Sequence, residues 1–232
     1  MSGARPDGLE TSAIMTTSAL DEPRTDGDRE EPAREEIAAG KPLTWLLLIC
    51  GALGLWASFV ITNDKFVLLQ DKIEGKQTHF SCSLNPIISC GDVMESSQAH
   101  AFGFQNPIIG LVAYGVVICL AMGMFAGARY KPWFWYGLQA GGLFGVGFIS
   151  WLQYQTIYNI QAICLWCCLA WVVTILIFWY TAVHNIKHGL IKVPAKVRSA
   201  VLEFHWVVPV LWYGVIALLI LTHFWYYWKT VV

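Results

Sequence analysis

The chain has 232 residues, of which 56% are hydrophobic and only 13% are charged. A soluble domain carries roughly 25% charged residues, so this composition excludes an ordinary soluble protein and indicates a polytopic membrane protein. Twelve tryptophans are present, several of them near the ends of apolar runs, where the lipid–water interface favours them. The net charge of −1 gives no indication of a nucleic-acid partner.

Residues 1–40 are rich in charged residues, Ala, Pro and Gly, and they include no aromatic residue. Such a segment buries too little apolar surface to offset the entropic cost of ordering it, so we predict a disordered cytoplasmic tail. A signal peptide is not expected, because the first apolar run begins late and lacks a small-residue cleavage site.

Five apolar segments are each long enough to cross a bilayer, which takes about 20 residues of helix. They are Leu43–Ile61, Pro107–Gly127, Trp133–Thr156, Ile163–Val183 and Trp206–Trp228. The third contains a Gly-Gly-x-x-Gly-x-Gly pattern over 141–147, which favours close approach of another helix. A polar loop, 62–106, follows the first span, and Val93–His100 within it is predicted to form a short helix.

Basic residues are distributed unevenly between the two sides when the spans alternate in direction. One side has eleven, namely Arg5, Arg24, Arg29, Arg34, Lys41, Arg129, Lys131, Lys187, Lys192, Lys196 and Arg198, and the other has four, namely Lys65, Lys72, Lys76 and Lys229. Since basic loops stay in the cytoplasm, we predict a cytoplasmic N-terminus in a multi-pass cytoplasmic (inner) membrane protein. The loop 62–106 and the start of the fourth span then share the extracytoplasmic side, where disulfides persist.

Three of the seven cysteines, Cys50, Cys119 and Cys168, lie within apolar runs. We predict that these three are small buried hydrophobes, as free cysteines often are. The remaining four form two close pairs, 82/90 in the polar loop and 164/167 at the start of the fourth span. A thiol at a helix N-terminus faces unpaired N–H groups and the positive end of the helix dipole, which lowers its pKa.

Spacing alone leaves three interpretations of the two pairs. A static disulfide staple explains the loop pair but leaves the C-x-x-C pair unexplained. A zinc site is disfavoured because the step from Cys82 to Cys90 is too wide for half of a structural site, so we expect no metal. In a redox relay, thiol–disulfide exchange passes electrons from a soluble dithiol partner to the loop pair, then to the helix pair, and then to a lipid-soluble quinone.

A longer pattern surrounds the cysteines and extends over roughly residues 43–185. It consists of Cys82-x7-Cys90, Ser96, Phe102-Gly103, Asn106-Pro107-Ile108-Ile109-Gly110, Tyr114 and Cys164-Leu165-Trp166-Cys167. This pattern resembles the vitamin K epoxide reductase (VKOR) family, and more narrowly the bacterial homologues that reoxidise DsbA-like thioredoxin-fold proteins.

The resemblance implies an all-α membrane protein with a four-helix VKOR-type transmembrane bundle around a quinone, to which this chain adds a fifth transmembrane helix. The implied units are a catalytic bundle over 41–185 that includes the extracytoplasmic cysteine loop 62–106, a cytoplasmic basic loop over 186–205, and the fifth helix with a short outer tail over 206–232. The sequence shows no thioredoxin-like domain, so the thioredoxin-fold partner is expected to be a separate protein.

The resemblance also implies a role for each cysteine of the two pairs. Cys82 would meet the thiol of the partner, and Cys90 would relay electrons to Cys164. Cys167 would face the quinone and pass the electrons to it.

Four further residues are assigned to quinone binding by the same resemblance. Ser96 matches a Ser or Thr that the family carries in the short loop helix capping the quinone pocket, although Ser is also a favoured helix cap. Asn106 matches a polar residue able to hydrogen-bond a quinone oxygen, although it also precedes a helix-starting proline. Tyr114 belongs to the same motif, and Trp171 stands where animal members carry Tyr, with an indole N–H but no hydroxyl.

The leading hypothesis is a quinone-dependent membrane thiol oxidase that generates disulfides by reoxidising a DsbA-like partner, with menaquinone or ubiquinone as the acceptor. One alternative is a vitamin K epoxide or quinone reductase, against which Trp171 weighs. Another is a non-catalytic membrane protein stapled by disulfides, which would keep one fixed oxidation state.

Overall fold

The computed structural model describes residues 36–76, 80, 82–83, 87–225 and 229. Most of these residues lie in the helices α1 (Lys41–Glu74), α2 (Cys90–Glu95), α3 (Asn106–Phe125), α4 (Pro132–Tyr154), α5 (Leu165–Lys187), α6 (Ala195–Glu203) and α7 (Val207–His223). A 3-10 turn, Ser97–His100, follows α2, and a π-helical turn, Gln155–Ile160, follows α4. Strands β1 (Ile37–Ala38) and β2 (Arg129–Tyr130) pair in antiparallel fashion.

Four long helices form one bundle in which α1 packs against α3 and α5, and α5 packs against α4. The pairing of β1 with β2 joins the start of α1 to the end of α3 at one end of the bundle. Each of the five predicted apolar segments appears as a helix, namely α1, α3, α4, α5 and α7. The ends are shifted by a few residues, except that α1 continues 13 residues past Ile61. The predicted all-α fold is therefore confirmed.

The first helix is much longer than the apolar segment that predicted it. Its 34 residues span about 50 Å at 1.5 Å per residue, whereas the hydrocarbon core of a bilayer is about 30 Å thick. The helix ends where Gly75 adopts a left-handed conformation, at φ 70°. The last turns of α1 therefore extend beyond the apolar layer and form a wall for the loop that follows.

Three described helices, α1, α3 and α5, are long and apolar enough to cross a membrane. The pair α6 and α7 would add a fourth span as one broken helix, with a bend of 70° between its halves. The helix α4 has 23 residues, but its Trp, Tyr, Gln and Gly content lowers its mean hydropathy. A helix, α6, occupies part of the segment 186–205 that was predicted to be a basic loop.

Several predicted features lie outside the described residues. These are most of the tail, up to residue 35, residues 77–79, 81 and 84–86 of the polar loop, and residues 226–228 and 230–232 near the end of the chain. Within the predicted tail, Ile37–Ala38 forms a strand that the sequence did not predict.

Glycines allow close helix contacts at a few positions of the bundle. A Cβ atom on Gly54 of α1 would lie 2.5 Å from the ring of Tyr114 on α3. In the glycine pattern of α4, Gly142 and Gly145 face Phe178 and Thr174 of α5, but Gly141 and Gly147 have no heavy atom within 4 Å of a Cβ position. Two of the four glycines in that pattern therefore make the predicted close helix contact.

We expect Gly54→Ala to destabilise the bundle by about 1–3 kcal/mol, because the added methyl group would displace the buried Tyr114 ring. The matched control is Gly115→Ala on α3, where a Cβ has open space around it. Thermal unfolding of the purified protein in detergent should show a lower midpoint for Gly54→Ala alone. Equal midpoints would contradict the packing described here.

Candidate redox site

Two chain segments that lead to cysteines lie side by side at one end of the bundle, which we name the cysteine end. The N–H of Ile163 donates a hydrogen bond of 2.7 Å to the carbonyl oxygen of Ile87, within a parallel bridge between Ile88 and Ile163. The π-helical turn after α4 and the left-handed Gln161, at φ 58°, bring the chain into this position. Residues just before Cys90 and Cys164 are therefore held together by backbone pairing.

The pairing brings three sulfur atoms into one buried cluster. Cys82 and Cys90 form a disulfide, and the Sγ atoms of Cys90 and Cys164 are 3.4 Å apart. Cys164 and Cys167 are free thiols. The side chains of Cys82, Cys90 and Cys164 are almost fully buried, among Ile61, Leu68 and Met94.

Both contacting sulfurs belong to residues at helix starts. Cys90 is the first residue of α2, whose N-cap Ser89 accepts a hydrogen bond of 3.4 Å from the N–H of Asp92. Cys164 is the extended N-cap residue of α5.

The environment of Cys164 favours its thiolate form. A hydrogen bond from the Cys167 thiol lowers the pKa of Cys164, and this effect outweighs the opposing effect of burial. The N–H groups of Trp166 and Cys167, in the first turn of α5, lie near this sulfur and also lower that pKa.

An apolar cavity of about 600 Å³ lies between α3 and α4, with α5 as its floor. Cys167 lines this cavity, whereas Cys164, one turn earlier, belongs to the sulfur cluster. The C-x-x-C pair therefore spans the boundary between the disulfide and the cavity.

Ser96 and Asn106 line the cavity at the cysteine end, and both side chains are engaged with backbone groups. The Ser96 hydroxyl donates to the carbonyl of Val93 at 2.7 Å and does not cap the 3-10 turn. The Asn106 amide donates to the carbonyl of Gln98 at 2.8 Å and accepts from the N–H of Ala101 at 3.1 Å. Asn106 thus holds the segment 98–101 in place over the cavity.

Tyr114 and Trp171 also line the cavity, deeper in the bundle. The Tyr114 hydroxyl is 2.6 Å from Oγ1 of Thr174 and 3.2 Å from the carbonyl oxygen of Ala170, so it bonds α3 to α5. Trp171 is buried against Ile149 and other residues of the bundle.

Several polar residues of the cavity have no role in the sequence analysis, and two of them, Lys65 and Gln105, stand out by their burial. The sequence marks Lys65 only as a basic residue of the extracytoplasmic side, yet its side chain is buried and lines the cavity. Its spacing from Ile61 and Leu68, four and three residues away, was the available signal for a shared helix face. Gln105 also lines the cavity, and its Oε1 atom is buried with no hydrogen-bond partner among the described residues.

These residues fit a quinone. The wall is almost entirely apolar and suits a ring and an isoprenoid chain, while Gln105, Lys65 and Cys167 supply a few polar atoms. The unpaired Oε1 of Gln105 can accept a hydrogen bond from a quinol hydroxyl. Among the described residues, no group of three or more His, Cys, Asp or Glu side chains is arranged to hold a metal ion.

The other three cysteines do not belong to the site. Cys50 is buried in the bundle as predicted, whereas Cys168 is only half-buried and packs beside Ile87, Ile163 and Phe224. Cys119 was predicted to be buried but is exposed on the outside of α3, because its helix face meets no neighbouring helix. That prediction was wrong for Cys119.

A disulfide in contact with a buried thiol, next to an apolar cavity between long apolar helices, defines a membrane protein with a thiol–disulfide site. A family model described as the vitamin K epoxide reductase family matches residues 45–182, more than half of the chain. The chain therefore belongs to the vitamin K epoxide reductase family, whose members are quinone-linked oxidoreductases. A comparison with curated proteins gives no match.

We expect Asn106→Ala to loosen the segment 96–101, because it removes both side-chain bonds to Gln98 and Ala101. Two hydrogen bonds at about 1 kcal/mol each predict roughly tenfold or faster amide exchange there. Hydrogen exchange followed by mass spectrometry would measure the change, with Ser97→Ala, which removes an exposed hydroxyl, as the control. Unchanged exchange in Asn106→Ala would show that these bonds do not hold the segment.

The pKa of Cys164 should depend on the side chain at position 167. Cys167→Ser keeps a hydrogen-bond donor, whereas Cys167→Ala removes it, so the pKa of Cys164 should be higher in Cys167→Ala. A lowered pKa maintains thiolate at pH values where an ordinary thiol is protonated, and this advantage is lost as the pKa rises. The pH for half-maximal alkylation of Cys164 should be higher in Cys167→Ala, and identical midpoints would exclude this hydrogen bond as the cause.

Proposed function

We propose that the protein is a quinone-dependent membrane thiol oxidase that reoxidises a DsbA-like thioredoxin-fold partner, with the bundle 41–185 as its catalytic unit. The observation that carries the proposal is the 3.4 Å contact between the Cys90 and Cys164 sulfurs, next to a cavity lined by Cys167. Sulfur atoms in contact can exchange a disulfide without movement of the helices that carry them.

Electrons first enter at the loop pair. A thiolate of the partner attacks Cys82, which breaks the Cys82–Cys90 bond, and the second partner thiol then releases Cys82 and leaves the partner as a disulfide. Two electrons and two protons have then moved to Cys82 and Cys90. Because Cys82 is 4% exposed, this attack requires the loop around it to move aside.

The second exchange uses the contact seen in the structure. The Cys90 thiolate attacks Cys164 of an oxidised Cys164–Cys167 pair, which forms a Cys90–Cys164 bond and frees Cys167. Cys82 then attacks Cys90, restores the loop disulfide and releases Cys164. The low pKa of Cys164 makes it a good leaving group and favours this direction.

The loop pair is oxidised and the 164/167 pair is reduced in the structure, which is the combination expected after this exchange. A bound quinone supplies a sink for two electrons and two protons. Loss of those electrons and protons from Cys164 and Cys167 restores their disulfide. The apolar walls of the cavity exclude water from this step, and Asn106 keeps the capping segment in place.

The orientation proposed for this reaction places the cysteine end outside the cytoplasm. The uneven distribution of basic residues supports it, since eleven of the fifteen lie on the opposite side of the predicted topology. An oxidising compartment would also be the place where newly made disulfides persist.

Turnover should require all four cysteines of the two pairs. Purified protein in lipid nanodiscs would receive a reduced DsbA-type protein together with a short-chain ubiquinone or menaquinone, and quinone absorbance would report reduction. We expect Cys167→Ser and Cys164→Ser to fall to the uncatalysed rate. Cys168→Ser is the matched control, because this neighbouring thiol lies outside the cavity wall, and it should keep its activity.

Two results would contradict the proposal. One is unimpaired quinone reduction by Cys167→Ser. The other is a fixed oxidation state of the four cysteines after incubation with the reduced partner, measured by alkylation and mass, which would indicate a stapled structural protein. Preferential reduction of vitamin K epoxide over the quinone as electron acceptor would instead assign the protein to epoxide reduction.

A further inference from the structure

Lys65 is a lysine buried at the cysteine end, with only 7% of its surface exposed. It shares a face of α1 with Ile61 and Leu68, which pack in the cluster that contains Cys90 and Cys164. Its side chain also lines the cavity that Cys167 lines. Lys65 therefore lies where the sulfur cluster and the cavity meet.

The charge of Lys65 has little compensation within the described part of the chain. Its ammonium donates one hydrogen bond, 2.6 Å long, to the carbonyl oxygen of Met94, and forms no ion pair there. The nearby Glu95 carboxylate pairs with Lys72 at 3.1 Å. An ammonium has three donors, and burying a cation with unmet donors costs free energy. A residue kept at such a cost is a candidate for a functional role.

The cavity itself indicates which ligand the cation would meet. Among the described residues that line it, Lys65 is the one Lys, Arg, Asp or Glu, His100 is the one histidine, and most of the others are apolar. The complementary ligand is an apolar molecule that carries hydrogen-bond acceptors and gains negative charge during the reaction. A quinone ring has these properties, because its carbonyl oxygens accept hydrogen bonds and become more basic as electrons arrive.

Resting on the proposed function, we propose that the Lys65 ammonium binds a carbonyl oxygen of the quinone and stabilises the negative charge that develops there. The reaction is balanced without a further reactant. Cys164 and Cys167 lose two electrons and two protons and form one S–S bond, and the quinone gains the two electrons and two protons and becomes a quinol. Lys65 donates a hydrogen bond and is not consumed.

The first test measures quinone binding, independently of turnover. Quenching of tryptophan fluorescence by a short-chain ubiquinone reports binding, since Trp133 and Trp171 line the cavity. Lys65→Met should weaken binding about tenfold or more, as expected for the loss of a charge-assisted hydrogen bond. Lys65→Arg should recover part of the affinity, because it keeps a cationic donor. Lys72→Met, which removes a more exposed cation from the same helix, should bind like the unsubstituted protein.

The second test distinguishes binding of the quinone by Lys65 from a structural role, in which Lys65 holds α2 in place through its hydrogen bond to Met94. The quinone-dependent kcat should fall about 10²-fold in Lys65→Met, the effect of removing one donor to a developing oxyanion. Single-turnover transfer from the reduced 82/90 pair to the oxidised 164/167 pair, without quinone and followed by alkylation, should keep its rate.

Two outcomes would overturn this inference while leaving the proposed function intact. One is unweakened quinone binding by Lys65→Met, and the other is a defect confined to the quinone-free exchange, which would make Lys65 a positioning residue for α2. Failure of the unsubstituted protein to reduce quinone would overturn the proposed function, and this inference with it.

Discussion

The redox site depends on one backbone hydrogen bond, from the N–H of Ile163 to the carbonyl oxygen of Ile87. Two segments that are far apart in sequence are paired there, and each reaches its cysteine within three residues. The pairing requires the chain to leave α4 through a π-helical turn and to reverse at Gln161. Without this pairing, the two cysteine pairs would lie at the same end of the bundle, but the backbone would not hold them in contact.

Burial isolates the contact between the sulfur atoms. The sulfurs of Cys82, Cys90 and Cys164 lie among apolar side chains, so exchange between them is shielded from water and from other thiols. The same burial penalises the thiolate, and the hydrogen bond from Cys167 offsets that penalty at Cys164. The arrangement therefore combines isolation of the reacting atoms with a stabilised leaving group.

Local patterns in the sequence predicted the helices and the two cysteine pairs, since hydropathy and close spacing are both readable along the chain. Part of the extension of α1 is readable, because Phe66-Val67-Leu68-Leu69 continues the apolar sequence past Ile61. The end at Glu74 is harder to predict, because the last turn is mostly polar and contacts α2 through the Lys72–Glu95 ion pair. The buried state of Lys65 and the two bonds of Asn106 depend on backbone groups that are distant in sequence or lie in the loop. The exposure of Cys119 likewise depends on which face of α3 meets a neighbour, and a uniformly apolar helix carries no periodic signal for that.

The most direct test of the relay removes its first and last cysteines, Cys82 and Cys167, and identifies the disulfide that then forms. A protein with Cys82→Ala and Cys167→Ala retains Cys90 and Cys164 alone among the four. After mild oxidation, peptide mass mapping should find these two linked to each other in most molecules, because their sulfurs already touch. Free thiols at both positions, or bonds from either one to another cysteine, would contradict the path of electrons from the loop into the bundle.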